Sequence, residues 1–279
     1  MESHVQMRKI ALMICINILT IIIISSCGSE KAISPEQLLN RAKSMAEDDP
    51  QGALLTIDSL HELYPREIRS RRMADTIEWQ IEYNEAIKNL PVLDSIISND
   101  SLRLAELVKN FNYSKDEEYQ DYGNYEHKRF RTENNTWRCY LKSTVNDMGD
   151  VVLISYYSGK KEEHNGFTVM AGEYERSIRD AENVSGFMDG GTYREFITVN
   201  DSLENGMIGF ITSSDGGIVV RLNGEKEHEY TMGSNDIEAF RETMELAKLL
   251  QEINLYKMQI RKFRSKIELL GTRLGKQDD

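Results

Sequence analysis

Residues 246–274, LAKLLQEINLYKMQIRKFRSKIELLGTRL, decide the fold. Leu246, Leu249, Ile253, Tyr256, Ile260, Phe263, Ile267, Leu270 and Leu274 alternate by three and four residues without a miss, which draws one apolar seam along a coiled-coil-like helix. Asn235 and Glu238 offer a capping box at its start, and Gly271 and Gly275 loosen its end, so a helix is expected over 235–275. At 1.5 Å per residue it approaches roughly 60 Å. A seam of that length needs an apolar partner. Its flanks carry Lys257, Arg264, Lys266 and Arg273, so a parallel second copy gains little from them.

The complement lies near the other end of the chain. From Arg66 to about Ser98, Trp79, Tyr83, Ala86, Leu90, Leu93 and Ile97 recur at four and three, with Glu78, Glu82 and Glu85 beside them. Ile77, Ile81 and Ile87 form a second apolar edge, and two edges imply two neighbours. Exposed ion pairs contribute only about 0.2 to 1 kcal/mol each, so charge sets the orientation and burial supplies the stability. The two ends of the chain are therefore expected to pair as one antiparallel helical stalk. Pro91 removes a backbone donor and clashes one turn back, which predicts a kink or interruption. Asn99-Asp100 predicts a turn into a shorter helix ending near Phe111.

Ahead of that helix, Ser34-Pro35-Glu36-Gln37 supplies a capping hydroxyl, a proline at the first helical position and a reciprocating amide. A helix follows through Leu38, Leu39, Ala42, Met45 and Ala46 to Asp49-Pro50. A second carries Ala53, Ile57, Leu60 and Leu63 to Tyr64-Pro65. The spacing of Ala53, Ile57, Leu60 and Pro65 resembles the second helix of a tetratricopeptide repeat. Only one such unit is visible, and a binding solenoid needs at least about three. The helical region spans 34–112, and 113–135 reads as a connector.

Residues 136–233 follow a different grammar. Trp137–Val145, Asp150–Tyr157, Tyr193–Val199, Met207–Thr212, Ile218–Leu222 and Glu227–Met232 are rich in β-formers and separated by turn signals such as Asp215-Gly216-Gly217 and Asn223-Gly224. They predict an antiparallel β domain of about six to eight strands, closed as a barrel or packed as a sandwich. The fold class is α+β.

The first residues give an address. Met7-Arg8-Lys9 precedes an apolar run, Ile10 to Ile24, shorter than the roughly 20 residues a membrane-spanning helix needs. Small residues follow at once. Ile24-Ser25-Ser26-Cys27-Gly28 resembles the lipobox of bacterial lipoproteins, which implies a signal peptide over 1–26, cleavage between Ser26 and Cys27, acyl chains on the Cys27 thiol and a tether over 27–33. With Cys15 removed and Cys27 acylated, Cys139 is the one remaining thiol, so no internal disulfide can form.

Charge excludes some classes. The net charge is −12, and loss of Glu2, Arg8 and Lys9 leaves 32 basic against 45 acidic residues. Such a chain repels nucleic acid and anionic surfaces, and the basic stripe from Lys257 to Arg273 is too short to reverse that. Asp-Ser/Thr-aliphatic triplets at 58–60, 75–77, 94–96, 100–102 and 201–203 resemble the O-glycosylation acceptor of exported Bacteroidetes proteins; the same residues also cap and line helices.

The chemistry-bearing motifs are incomplete. His61-Glu62-Leu63-Tyr64-Pro65 opens like a zinc-protease helix but lacks the second His, and no Asp-Gly pair sits in a calcium loop. Gly271-Thr272-Arg273-Leu274-Gly275-Lys276 lacks phosphate-loop spacing. No nucleophile elbow occurs, and Cys139, between Trp137 and Tyr140 on a strand, reads as a small buried hydrophobe. A pair of catalytic carboxylates is undetectable among 46 acidic residues without geometry. No catalytic residue, metal ligand or cofactor is assigned. One cluster, Tyr113, Tyr119, Tyr122 and Tyr125 with His127, Arg129 and Phe130, either stacks on a sugar or peptide or seals a helix-to-sheet seam; sealing is the expectation.

The lipobox, the helices bounded by Asp49-Pro50 and Tyr64-Pro65, the phrase Lys115-Asp116-Glu117-Glu118-Tyr119-Gln120-Asp121-Tyr122-Gly123 and the long terminal helix together resemble Bacteroidetes envelope lipoproteins without an assigned activity. The resemblance implies a cell-envelope location on the outer membrane, with either face open. The expected role is non-enzymatic: binding or scaffolding of a protein or glycan. A hydrolytic, carbohydrate-active enzyme would instead show a deep polar pocket with two carboxylates. A structural spacer would expose an apolar stripe on the terminal helix.

Overall fold

The computed structural model describes residues 33–200, 206–214 and 217–276. The signal peptide, Ser26, Cys27, the tether up to Ala32 and the triplet at 201–203 lie outside them. By contact the chain divides into two units. One comprises the described residues up to Ala86 and from Lys266 onward; the other is Ile87–Ser265.

In the first unit, α1 (Pro35–Met45) and α2 (Pro50–Leu63) form a helical pair. The Gln37 backbone N–H donates to Ser34 Oγ, and the Ser34 N–H donates to Gln37 Oε1 at 2.9 Å, which completes the capping box. Asp49 caps α2 through the Gly52 N–H at 3.0 Å. The pair buries Leu38, Leu39, Ala42, Ile57 and Leu60 against Ala74 of α3 (Ile68–Leu107), with Ile77 at the rim. That is the second neighbour implied by the second apolar edge.

The other neighbour is α6 (Ser234–Arg273). Within the second unit, as α3 advances from Asp94 to Arg103, its partners on α6 step back from Arg264, at 4.0 Å, to Glu245, at 3.4 Å, so the two helices run antiparallel there; within the first, Glu82 meets Lys266 at 2.8 Å. Arg273 lies over the Trp79 ring and Lys276 over Tyr83. Leu246, Leu249, Ile253, Ile260 and Leu270 of the seam are buried. Leu255, Met258 and Leu269 of the same helix are exposed.

Three expectations about these helices are corrected. Pro91 does not interrupt α3, which runs 40 residues, and Asn99-Asp100 makes no turn. An interior proline costs about 3 kcal/mol, but its ring lies on the exposed side, and buried Leu93 and Asp100 follow at helical spacing. Asn235 and Glu238 do not box the start of α6. The helix begins one residue earlier, with the Asp236 and Ile237 N–H groups on Gly233 O, while Glu238 pairs with Arg241. At the other end Lys276 N–H reaches Gly271 O and Gly275 N–H reaches Thr272 O, a Schellman closure that needs Gly275 at φ +67°.

Among the described residues the second unit holds ten strands: β1 (Phe111–Ser114), β2 (Asn124–His127), β3 (Tyr140–Asn146), β4 (Val151–Gly159), β5 (Gly166–Ala171), β6 (Tyr174–Ile178), β7 (Val184–Asp189), β8 (Thr192–Asn200), β9 (Ile218–Asn223) and β10 (His228–Thr231). They form antiparallel sheets of order β1-β2-β3-β4-β8-β7 and β10-β9-β5-β6. Leu141, Leu153 and Ile197 of one sheet share a core with Phe167, Val169, Val220 and Leu222 of the other, so the domain is a sandwich rather than a barrel. α6 closes on that core through Phe240, Leu246, Ala247 and Leu250.

The unit also has short α-helices α4 (Thr132–Asn135) and α5 (Met207–Ser213) and 3-10 turns at Val108–Asn110 and Lys128–Phe130. Met207–Thr212, expected as a strand, is therefore helical. Met207, Ile208 and Ile211 are buried together, the spacing of one helix face rather than of a pleat. Within 113–135, expected as a connector, β2 joins the sheet between β1 and β3.

Candidate functional site

The tyrosine cluster divides. Tyr125 packs against the sandwich core, His127 meets Glu242 at 3.1 Å, and Phe130 is fully buried between Tyr140 and Phe240. These rings seal a seam, as expected. Tyr113, Tyr119 and Tyr122 do not: they are 51%, 79% and 47% exposed.

The loop that carries them is held by its own polar groups. Asp116 Oδ1 accepts the Glu118 N–H at 3.0 Å, Gln120 Oε1 accepts the Asp116 N–H at 3.1 Å, and Asp116 O accepts the Gln120 N–H at 2.8 Å. Asp147 pins both ends: it accepts the Tyr113 hydroxyl at 3.0 Å and the Gly123 N–H at 2.8 Å. A side chain at Gly123 would start 2.2 Å from the Tyr113 hydroxyl, so only glycine lets the ring lie there. Partial burial and the Asp147 carboxylate push the Tyr113 hydroxyl above its ordinary range. The result is a preorganised, exposed aromatic loop with Asp116, Glu117, Glu118 and Asp121 around it.

Besides Asp100 of α3, two carboxylates of this unit, Asp236 and Glu195, are buried. Asp236, in the first turn of α6, accepts Arg129 Nε at 2.6 Å and Arg138 Nη1 at 2.5 Å. Glu195, on β8, accepts the Glu162, Glu163 and His164 N–H groups at 2.9 Å each, and the His164 ring at 2.7 Å. Glu163 stands at φ +53°, which turns successive N–H groups inward as an anion nest. Burial alone would raise the Glu195 carboxyl, but the His164 ring and the three N–H groups outweigh it and hold it low. Burial pushes the His164 imidazole down against the pull of Glu195. His164 therefore donates from Nδ1 and keeps Nε2 unprotonated. That Nε2 is buried and has no hydrogen-bond partner among the described residues. Both side chains are almost fully buried, which fits a clamp on the β4–β5 crossover better than a reacting centre.

His61, Asp75 and Glu78 bring three ligand atoms within 4.8 Å of one another. The proton arrangement opposes a cation. Arg71 Nε donates to His61 Nδ1 at 2.9 Å, which leaves Nε2 carrying the proton, 3.1 Å from Asp75 Oδ1. A metal would have to displace that proton beside a guanidinium. The arrangement instead ties α2 to α3. Burial, with Glu82 and Asp75 nearby, pushes the Glu78 carboxyl up.

Cys139 is half-buried, its thiol pushed up by burial and aimed at the Ser158 carbonyl. A polar cleft of about 400 Å³ is lined by Thr168, Glu175, Arg179, Arg221 and Glu227 of the smaller sheet and its loops, and Arg221 is already engaged there by Glu229 at 2.7 Å. The triplet hydroxyls Thr76, Ser95 and Ser101 are exposed along α3. Cys27 and Ser26 lie outside the described residues. Sequence reasoning missed His164 and Glu195 altogether. Comparison with family models, with curated proteins and with solved structures found no match.

Proposed function

We propose that the chain is a lipoprotein of a bacterial cell envelope, held on the outer membrane through acylated Cys27, that acts without catalysis by binding a partner through the loop between β1 and β2. The observation that carries the binding half is the exposure of Tyr113, near the end of β1, and of Tyr119 and Tyr122 on the following loop, fixed from both ends by Asp147. A loop whose backbone is fixed in advance loses little freedom on binding, which favours recognition by stacking on its exposed rings. The surrounding carboxylates repel acidic ligands, so the partner is a neutral or basic surface, and a neutral glycan offers the apolar ring faces and hydroxyls that tyrosines and carboxylates take together.

The test is a neutral-glycan array probed with the full chain and with a Tyr119→Ala/Tyr122→Ala variant. Two lost ring contacts, about 0.5 to 1.5 kcal/mol each beyond area, weaken binding roughly tenfold or more. Binding unchanged in the variant would remove this loop from the function. The anchor is tested separately: labelled palmitate enters the parent and not Cys27→Ala, and label in both would overturn the lipid site.

A further inference from the structure

The largest uncovered apolar strand of the sandwich is β7. All six of its residues are exposed, with Val184 at 42%, Phe187 at 54% and Met188 at 64%. It ends the six-stranded sheet, and among the described residues nothing pairs with its outer side. Its hydrogen-bond phase follows from Thr198 N–H donating to Asn183 O at 3.0 Å. Bonded and non-bonded pairs alternate in an antiparallel ladder. Ser185, Phe187 and Asp189 therefore turn their backbone groups toward β8, while Val184, Gly186 and Met188 turn theirs to the open edge. Such an edge is complementary to one thing, another extended backbone.

The other three edges are guarded. β1 and β10 have four residues each, β10 carries Glu229, and β6 carries Glu175 and Arg176. Short length and charge are how sheet edges avoid strangers. β7 has neither before Asp189, and no proline.

We infer that β7 is a self-association edge, which pairs antiparallel with β7 of a second copy about a twofold axis through Gly186. Opposed residues of an antiparallel pair share a face, so such an axis must pass through a residue. Through Gly186 it sets Val184 against Met188 of the second copy and Ser185 against its Phe187. The small Ser185 leaves room for that ring beside Phe196, on which the chain's own Phe187 already stacks at 5.8 Å. Val184 and Gly186 border a cleft of about 310 Å³ that receives the incoming Met188. Asp189 falls opposite Asn183 and Glu182 opposite Gly190, so no carboxylate meets its like. A six-residue strand spans about 20 Å. A contact along one edge strand is at the low end of interface size, so the dimer is weak and reversible.

Sedimentation equilibrium of the full chain in detergent tests this. The parent shows a concentration-dependent dimer. Met188→Pro removes one outward donor and leaves the β8 ladder intact, and Phe187→Lys places a guarding charge on the strand; each weakens the dimer about tenfold or more. Positions 184 and 188 are too far apart along one strand, about 13 Å, to bond within a chain. A Val184→Cys/Met188→Cys variant that crosslinks on mild oxidation, where each single variant does not, therefore supports the register directly. A chain monomeric throughout the micromolar range overturns the inference, as does a dimer untouched by both edge variants or one that forms without the 184–188 crosslink. If β7 instead takes a strand from a different protein, the purified chain is monomeric and the inference fails.

Discussion

Asp236 and Glu195 are both buried carboxylates of one unit, yet they are held by opposite means. Asp236 is met by the side-chain cations of Arg129 and Arg138, which reach it from the segment before β3. Among the described residues no lysine or arginine bonds Glu195 directly: its donors are three backbone N–H groups of one turn and a histidine ring. The first arrangement joins distant pieces of chain by charge. The second uses a carboxylate as the template on which a turn folds. They should therefore fail differently when altered.

The largest effect is expected at Asp236. Asp236→Ala leaves two guanidinium groups, one of them 28% exposed, without their shared carboxylate. Breaking a buried pair from one side costs about 3 to 5 kcal/mol, and the partial exposure of both arginines sets the expectation at the lower end, about 3 kcal/mol. Urea unfolding followed by tryptophan fluorescence measures it. A loss below about 1 kcal/mol would place the pair with ordinary surface bridges and dissolve the contrast.

Glu195→Gln comes next. The amide keeps one acceptor oxygen but loses the charge, and hydrogen bonds to a charged group contribute about 1.5 to 3 kcal/mol. The expected loss is about 2 kcal/mol, with the 162–164 turn loosened. Hydrogen exchange at the Glu162, Glu163 and His164 amides should rise in this variant and stay unchanged in Asp236→Ala. A rise in both would mean that the two sites are one network.

How much of this could be read in advance depended on period. The seam from Leu246 to Leu274 repeats often enough to survive every local ambiguity, and Ser34/Gln37 and Asp49-Pro50 are local chemistry complete in sequence. The strands left unforeseen lack such signals. β7 is exposed on both faces, so no alternation marks it. α5 buries Met207, Ile208 and Ile211 in too few residues to separate helix from strand. Of the tyrosine cluster, the residues were legible but not their division, because exposure depends on Asp147, which lies beyond the loop. His164 and Glu195 are 31 residues apart, with no spacing to join them. One trace existed: Glu195 alternates with Ile197 and Val199, an acid on the apolar side of a strand, and that position demands a partner.

Protonation should separate the two carboxylates by a smaller margin. Burial pushes His164 below its ordinary value, so the folded protein keeps the ring neutral while the unfolded chain takes up a proton below about pH 6.5. Its contribution is complete above that value and falls as pH drops toward the lower folded one. Glu195 is also held low, so its contribution is present above the unfolded carboxylate value and is lost at still lower pH, through its own folded value. The acid limb of stability thus begins at the histidine and continues at the glutamate. His164→Leu removes the first step, and its stability should stay level just below about pH 6.5, where the parent begins to decline. Because Asp236 has no histidine partner, Asp236→Ala should retain that decline at reduced overall stability. If His164→Leu declines in parallel with the parent, the proton taken up belongs to another group, and the Glu195 clamp is held by its backbone donors alone.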